Sequence, residues 1–341
     1  MFSKSLARAG LIASVVITTV NAIATISTTG SKFFTSDGDQ FFIKGVAYQL
    51  TEADPLIDTK QCQLDASLMK TLGANAIRVY HVDPSGDHSG CMSAFADAGV
   101  YLFLDLDTFN TAITPTDATW DQSQYTAFGK VMDAFAKYDN TLGNSKGYRE
   151  IPIGYSAADI AELRPMLQNY LACGANTSEA IDFFGLNAYE WCGNNQAAIL
   201  GPEMDDQWSG AIVYEWIEEA NDYGLISYGS TVAATVVASG VAGGYSRAGT
   251  PTPVSPDFAN LQSQWSTLTP TGVASSAYSP TLTPPACPAS TSGGWLVDGD
   301  VKLPSIGQKE VTGTATTTSG SISSTGSATG SAASATSTKK G

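Results

Sequence analysis

Short apolar runs, each ending in polar or aromatic residues and each followed by a segment of helical period, constrain this chain more than any other feature. The clearest is Asp182–Gly193, where Phe183, Phe184, Leu186 and Ala188 form a run short enough for a buried parallel strand. Asn187, Tyr189, Glu190 and Trp191 crowd its far end. Five further runs behave alike: 41–49, 75–82, 100–106, 150–157 and 210–217. Between them, Leu64, Leu68 and Leu72 recur at a helical spacing, as do Met92 with Phe95 and Tyr125, Phe128, Val131, Met132 and Phe135. Leu163, Leu167 and Leu171 mark a helix with Pro165 near its start, and Phe258, Leu261 and Trp265 close the series after Ser255-Pro256-Asp257. Repeated β-α units of this kind predict a parallel sheet, either a (β/α)8 barrel or a doubly wound sheet. Six strands are found where a closed barrel needs eight.

Ligands of such folds sit at the carboxyl ends of the strands. Polar groups mixed with aromatic rings at those ends suit a sugar, whose C–H faces stack on rings while its hydroxyls need donors and acceptors. Other classes are disfavoured. The net charge of −15 argues against a nucleic-acid partner, which needs a basic patch. His81 and His88 are the only histidines, so neither a Ser-His-Asp triad nor a histidine-rich metal site is expected. No phosphate-cradling or dinucleotide fingerprint is present, and no cofactor, metal or protein partner is expected.

The ends differ from the middle. Residues 1–22 carry Lys4 and Arg8 ahead of an apolar stretch and then small residues, the pattern of a secretory signal peptide. Residues 23–305 form one expected domain, and 306–341, nearly all Ser, Thr, Gly and Ala from Val311 to Ser337, are an expected disordered and O-glycosylated stalk by composition. Asn176 opens a glycosylation sequon, and export permits disulfides among the five cysteines.

Several long runs go beyond pattern: FFIKGVAYQ, NAIRVYHVDP, DHSGCMSAFADAGVYLFLDLDTFN, AFAKYDNTLG, DFFGLNAYEWCG and GAIVYEWIEEANDYGLISYG. Together they resemble the fungal β-1,3-glucanosyltransferases anchored by glycosylphosphatidylinositol, glycoside hydrolase family seventy-two. The resemblance implies a (β/α)8 barrel, and an enzyme that cleaves β-1,3-glucan and transfers the new reducing end to another glucan. It implies β-1,3-glucan as partner, a cell-surface or cell-wall location, and membrane contact only through a lipid anchor. Family members continue past the stalk into an apolar anchor signal, whereas this sequence ends at Lys339-Lys340-Gly341.

By the same resemblance, Gln49, Tyr80, Asp105, Thr108, Asp159, Arg164, Tyr189 and Tyr214 are the expected substrate-binding residues. Asp159 and Arg164 could equally be a surface ion pair, and 105–113 a capped turn. Glu190 and Glu215 are given no catalytic role, and Glu218 and Glu219 read as a solvated helix start. Cys62 is expected to pair with Cys91 and Cys173 with Cys287, leaving Cys192 unpaired.

A retaining transfer needs two carboxyl groups about 5–5.5 Å apart across the scissile bond. In the family both are glutamates, in a Gly-Asn-Glu motif on the fourth strand and a Ser-Glu-(Tyr or Thr)-Gly-Cys motif on the seventh. Neither motif occurs here: no Asn-Glu dipeptide exists, and Ser178-Glu179 runs into Ala180. No catalytic residue is therefore retained on this reading. Gaps at Gly143-Asn144 and Gln196-Ala197 would remove strands four and seven. Three outcomes stay open: an incomplete sequence of an active transglycosylase, a shortened glucan binder without turnover, or a chain that cannot close its barrel.

Overall fold

The computed structural model describes residues 23–52, 54–107, 111, 113, 120–142, 151–174, 180–189, 195–236, 240–281, 283–299 and 305–307. The proposed signal peptide, most of the stalk, Thr108, Asn176, Glu190 and Cys192 lie outside them.

A hairpin of β1 (Ile26–Thr29) and β2 (Lys32–Thr35) precedes the first parallel strand, β3 (Ile43–Ala47). Then come α1 (Thr59–Leu72), β4 (Ala76–Val79), α2 (Ser89–Ala98), β5 (Tyr101–Leu104), α3 (Gln122–Phe135) and the two-residue β6 (Thr141–Leu142). The second half holds β7 (Gly154–Ala158), α4 (Arg164–Ala172), β8 (Phe183–Asn187), α5 (Asn195–Ile199) and β9 (Gly210–Val213). Short pieces β10 (Ile226–Ser227), β11 (Val241–Ala242), β12 (Tyr245–Ser246) and β13 (Thr252–Pro253) lead to α6 (Asp257–Thr267).

Local chemistry sets the helix ends. The Asp58 carboxylate accepts from the Lys60 and Gln61 amides and starts α1, while Gly73, at φ 89°, ends it in a left-handed conformation that suits glycine. Asp121 and Gln124 form a reciprocal capping box at α3.

The main sheet has the order β6-β5-β4-β3-β9, all parallel. Strands advance one place at a time and the last lies against the first. A doubly wound sheet reverses its order at a switch point, so this winding is that of an α/β barrel. β7 and β8 form a separate parallel pair, and among the described residues no ladder joins them to the five-stranded sheet.

Three expectations need correction. The fourth strand is not wholly missing: Thr141 and Leu142 pair in parallel with Leu102 and Phe103. Run 182–189 is only half-buried along β8, and Tyr155, Ser156 and Ala158 of β7 are exposed, because a two-stranded piece lacks neighbours on both edges. The buried face of α1 runs through Gln61, Cys62, Asp65, Ala66, Met69 and Leu72, with Leu64 and Leu68 at its margin.

Two apolar clusters flank the sheet. Outward-facing Val46, Ile77, Val79, Leu102 and Leu104 pack with Met69, Phe95, Phe135 and Trp265 of the helices. Inward-facing Ile43, Ala76, Tyr101 and Phe103 meet Ile26 and Phe33 of the hairpin, which fills the amino-terminal end of the sheet. Fully burying a side chain such as Ile77 or Leu102 contributes about 1.5–3 kcal/mol. Phe183 of β8 joins the inner cluster, 5.6 Å from Phe33 and 5.7 Å from Phe103 between ring centroids. Disulfides join Cys62 to Cys91, tying α1 to α2, and Cys173 to Cys287, tying the end of α4 to the later chain.

Candidate functional site

Side chains alternate across a strand, so the inward column of β4 continues from Ala76 through Arg78 to Tyr80. The inner cluster ends below Arg78, and polar chemistry begins there. The Arg78 guanidinium donates from Nε to Asp105 Oδ1 at 3.0 Å and from Nη2 to Asp105 Oδ2 at 2.7 Å, a two-pronged bond between the exits of β4 and β5. Its Nη1 reaches Asn187 Oδ1 at 3.4 Å, and the Tyr80 ring lies 4.9 Å from its Cζ. Asn187 in turn donates to Ser156 Oγ at 3.1 Å and to the Ala157 carbonyl at 2.9 Å. One cluster thus joins β4, β5, β7 and β8 at their carboxyl ends.

Burial works against the Arg78 charge, but hydrogen bonds and attraction from Asp105 outweigh it and hold the group above its ordinary value. Burial also pushes up the Tyr80 phenol. The Asp107 carboxyl is raised by burial and by the charge of Asp105 beside it. Tyr214, at the exit of β9, is pushed up to about 12 by burial and by Glu215. These phenols remain neutral at ordinary pH, able both to donate to a hydroxyl and to stack.

The expected binding residues separate into groups. Tyr80 and Asp105 meet through Arg78, and Tyr214 lies at the exit of β9, which pairs with β3 on the side away from β4. Tyr189 is 74% exposed two residues beyond β8, near Tyr214. Gln49 spends its side chain on the backbone: its oxygen accepts from the Tyr80 and His81 amides, and its nitrogen donates to the Thr51 carbonyl at 2.7 Å. That ties the exits of β3 and β4 together. Asp159, just past β7, and Arg164, the first residue of α4, form an ion pair at 2.5 Å. Glu218 and Glu219 lie in a loop rather than a helix, since the chain bends there to return to β10, and Glu219 pairs with Arg247. Among the described residues no group of His, Cys, Asp and Glu side chains could hold a metal ion, and no helix is long and apolar enough to cross a membrane.

Arg78 and Ser156 escaped the sequence reading. The only signal for Arg78 was its place two residues before Tyr80, on the same strand face.

Comparison with known proteins bears on this site. The sequence profile described as Glucanosyltransferase matches residues 15–147 and 144–201, so its two stretches meet at 144–147. The 1,3-beta-glucanosyltransferase gas2 of Schizosaccharomyces pombe is 32% identical over 355 residues, covering 80% of this chain and 73% of that protein. A 1,3-beta-glucanosyltransferase of Arthroderma benhamiae is 31% identical over 365 residues, covering 83% and 63%. Protein EPD1 of Candida maltosa is 29% identical, and the chain spans 62% of its length. Saccharomyces cerevisiae Gas2p, solved in complex with laminaritriose and laminaritetraose, superposes with a TM-score of 0.72 at 28% identity, over 83% of this chain and 77% of that one. With the profile spanning over half of its residues and such relatives aligned along most of its length, the chain belongs to the glucanosyltransferase family.

Proposed function

We propose that the protein acts on β-1,3-glucan of the fungal cell wall as a glucanosyltransferase, with the exits of its parallel strands forming the glucan cleft. One observation carries this reading: Tyr80, Arg78, Asp105 and Asn187 form a connected cluster at the strand ends, in a fold shared with an enzyme solved with laminari-oligosaccharides. A ring such as Tyr80 offers a surface for pyranose C–H groups, and the amide and carboxylate around it suit hydroxyls. In the retaining transfer of the family, one carboxylate attacks the anomeric carbon as an acid protonates the leaving sugar oxygen. The same group, now a base, then deprotonates the acceptor hydroxyl that displaces the carboxylate.

A specific observation favours a second reading of this chain, glucan binding without turnover. The sequence holds neither glutamate motif of the family. Three acids at the strand exits are also engaged: Asp105 with Arg78, Asp159 with Arg164, and buried Glu215 with Asn221. Export to the cell surface is supported by the apolar amino-terminal stretch and by the two disulfides. Glycosylation at Asn176 and in the stalk, and a lipid anchor as in the family, complete the proposal.

Incubating the purified chain with laminaripentaose separates the readings. Redistribution into longer and shorter oligosaccharides establishes transfer. Saturable binding without redistribution establishes the second reading, and absence of binding overturns both.

A further inference from the structure

The turn after β9 presents a second tyrosine beside Tyr214. Tyr223 is 55% exposed and Tyr214 40% exposed; their ring centroids are 6.2 Å apart and their planes cross at 71°. Lone exposed aromatics are ordinary on protein surfaces, but this one is held firmly by its backbone. Asn221 Oδ1 accepts from the Tyr223 amide at 3.0 Å, while Asn221 Nδ2 donates to buried Glu215 at 2.9 Å. The Tyr223 carbonyl accepts from the Glu215 amide at 3.3 Å. Between them Asp222 adopts φ 64°, a left-handed conformation uncommon outside glycine and tolerated by Asp and Asn. Such a conformation persists when its surroundings enforce it, and here the enforced turn sets one exposed ring beside another at the cleft mouth.

Two fixed rings at a steep angle do not make a flat platform. A β-1,4-linked glucose chain is a ribbon and would lie flat on only one of them. A β-1,3-linked chain turns at each link, so consecutive sugar faces rotate and can meet rings that are themselves rotated. We propose that Tyr223 is a sugar-stacking residue that extends the cleft beyond Tyr214 and favours β-1,3-linked over β-1,4-linked chains. This rests on the glucan reading above. The Glu215–Asn221 bond is its positioning device, keeping the turn folded without touching sugar.

Calorimetric titration of the full chain, Tyr223→Ala and Tyr223→Phe with laminaripentaose and cellopentaose tests it, with melting temperatures measured in parallel. Loss of one stacked ring weakens laminaripentaose about five- to tenfold in Tyr223→Ala. Tyr223→Phe stays within about twofold of the native chain, because the ring face is kept. Both variants melt with the native chain, and cellopentaose binds weakly to all three. Unchanged laminaripentaose affinity in Tyr223→Ala overturns the inference while leaving the glucan reading in place. So does a Tyr223→Phe variant as weak as Tyr223→Ala, or an equal loss toward cellopentaose. A native chain that binds no laminaripentaose overturns the glucan reading itself.

Discussion

Arg78 is the residue on which the cleft turns. Its side chain is 19% exposed and that of Asp105 29%, so both charges are largely withdrawn from water and each depends on the other. Hydrogen bonds to charged groups of this kind contribute about 1.5–3 kcal/mol, and leaving one partner alone costs a similar amount. Arg78→Ala is expected to destabilise the fold by about 2 kcal/mol and to abolish glucan binding, since Tyr80 and Asn187 both rest against the guanidinium. Arg78→Lys keeps the charge but loses the fork that spans both carboxylate oxygens. Denaturant melts and oligosaccharide titrations should therefore place it between the native chain and Arg78→Ala; a lysine variant equal to the native chain would mean that charge alone suffices. The placing of Tyr80, Asp105 and Tyr214 at strand exits was legible in the sequence, because polar residues closing apolar runs mark such exits; a binding role for them was implied only by the family resemblance. Arg78 was not, because an arginine within such a run reads as an interruption until its partner, on a different strand, is brought beside it.

The helix α1 shows the same limit at the level of an element. Its existence was readable from the spacing of Leu64, Leu68 and Leu72, but its buried face was misjudged because that face carries polar groups satisfied by distant residues. Asp65, wholly buried, accepts at Oδ2 from Tyr48 at 2.8 Å, Tyr228 at 2.8 Å and Gln61 at 3.0 Å. Hydrophobic spacing finds leucines and passes over a buried carboxylate. Burial raises the Asp65 carboxyl above its ordinary 3.8, although all three donors pull the other way. The fold therefore favours the protonated form, and this group's contribution to stability falls as pH rises from 3.8 through its raised folded value. Tyr228→Phe removes a donor that serves the ionised form. Its cost should be about 1–3 kcal/mol above that folded value and should shrink as pH falls toward 3.8. Melts of both proteins across the acid range measure the gap; a gap constant with pH would show that the Tyr228 hydroxyl contributes independently of the charge on Asp65.

At the scale of the molecule, the parallel wind was legible and the continuity of the sheet was not. β-α alternation announces a parallel wind, yet ladders depend on which edges find neighbours, and that is not written in any one run. The five-stranded sheet lies between two apolar clusters, with Val46, Ile77, Val79 and Leu102 almost wholly buried. The unit β7-α4-β8 is different: α4 buries none of its residues, and every residue of β8 is only half-buried. It is retained by Phe183 in the inner cluster, by the Asn187 bonds beside Arg78, and by the disulfide from Cys173 to Cys287 across 114 residues of sequence. Regions with little buried apolar surface open at lower free energy than the core. Native-state hydrogen exchange is therefore expected to show the amides of β7, α4 and β8 exchanging through a partial opening that leaves β3, β4 and β5 protected. A Cys173→Ala/Cys287→Ala variant should widen that difference, because closing so long a loop is the disulfide's main contribution. Glucan that contacts both Asn187 and Tyr80 should narrow it, since binding to the closed form alone stabilises that form by mass action. One opening free energy shared by all ten elements from β3 to β8, unchanged by reduction or by glucan, would show that the two parallel pieces fold as a single unit.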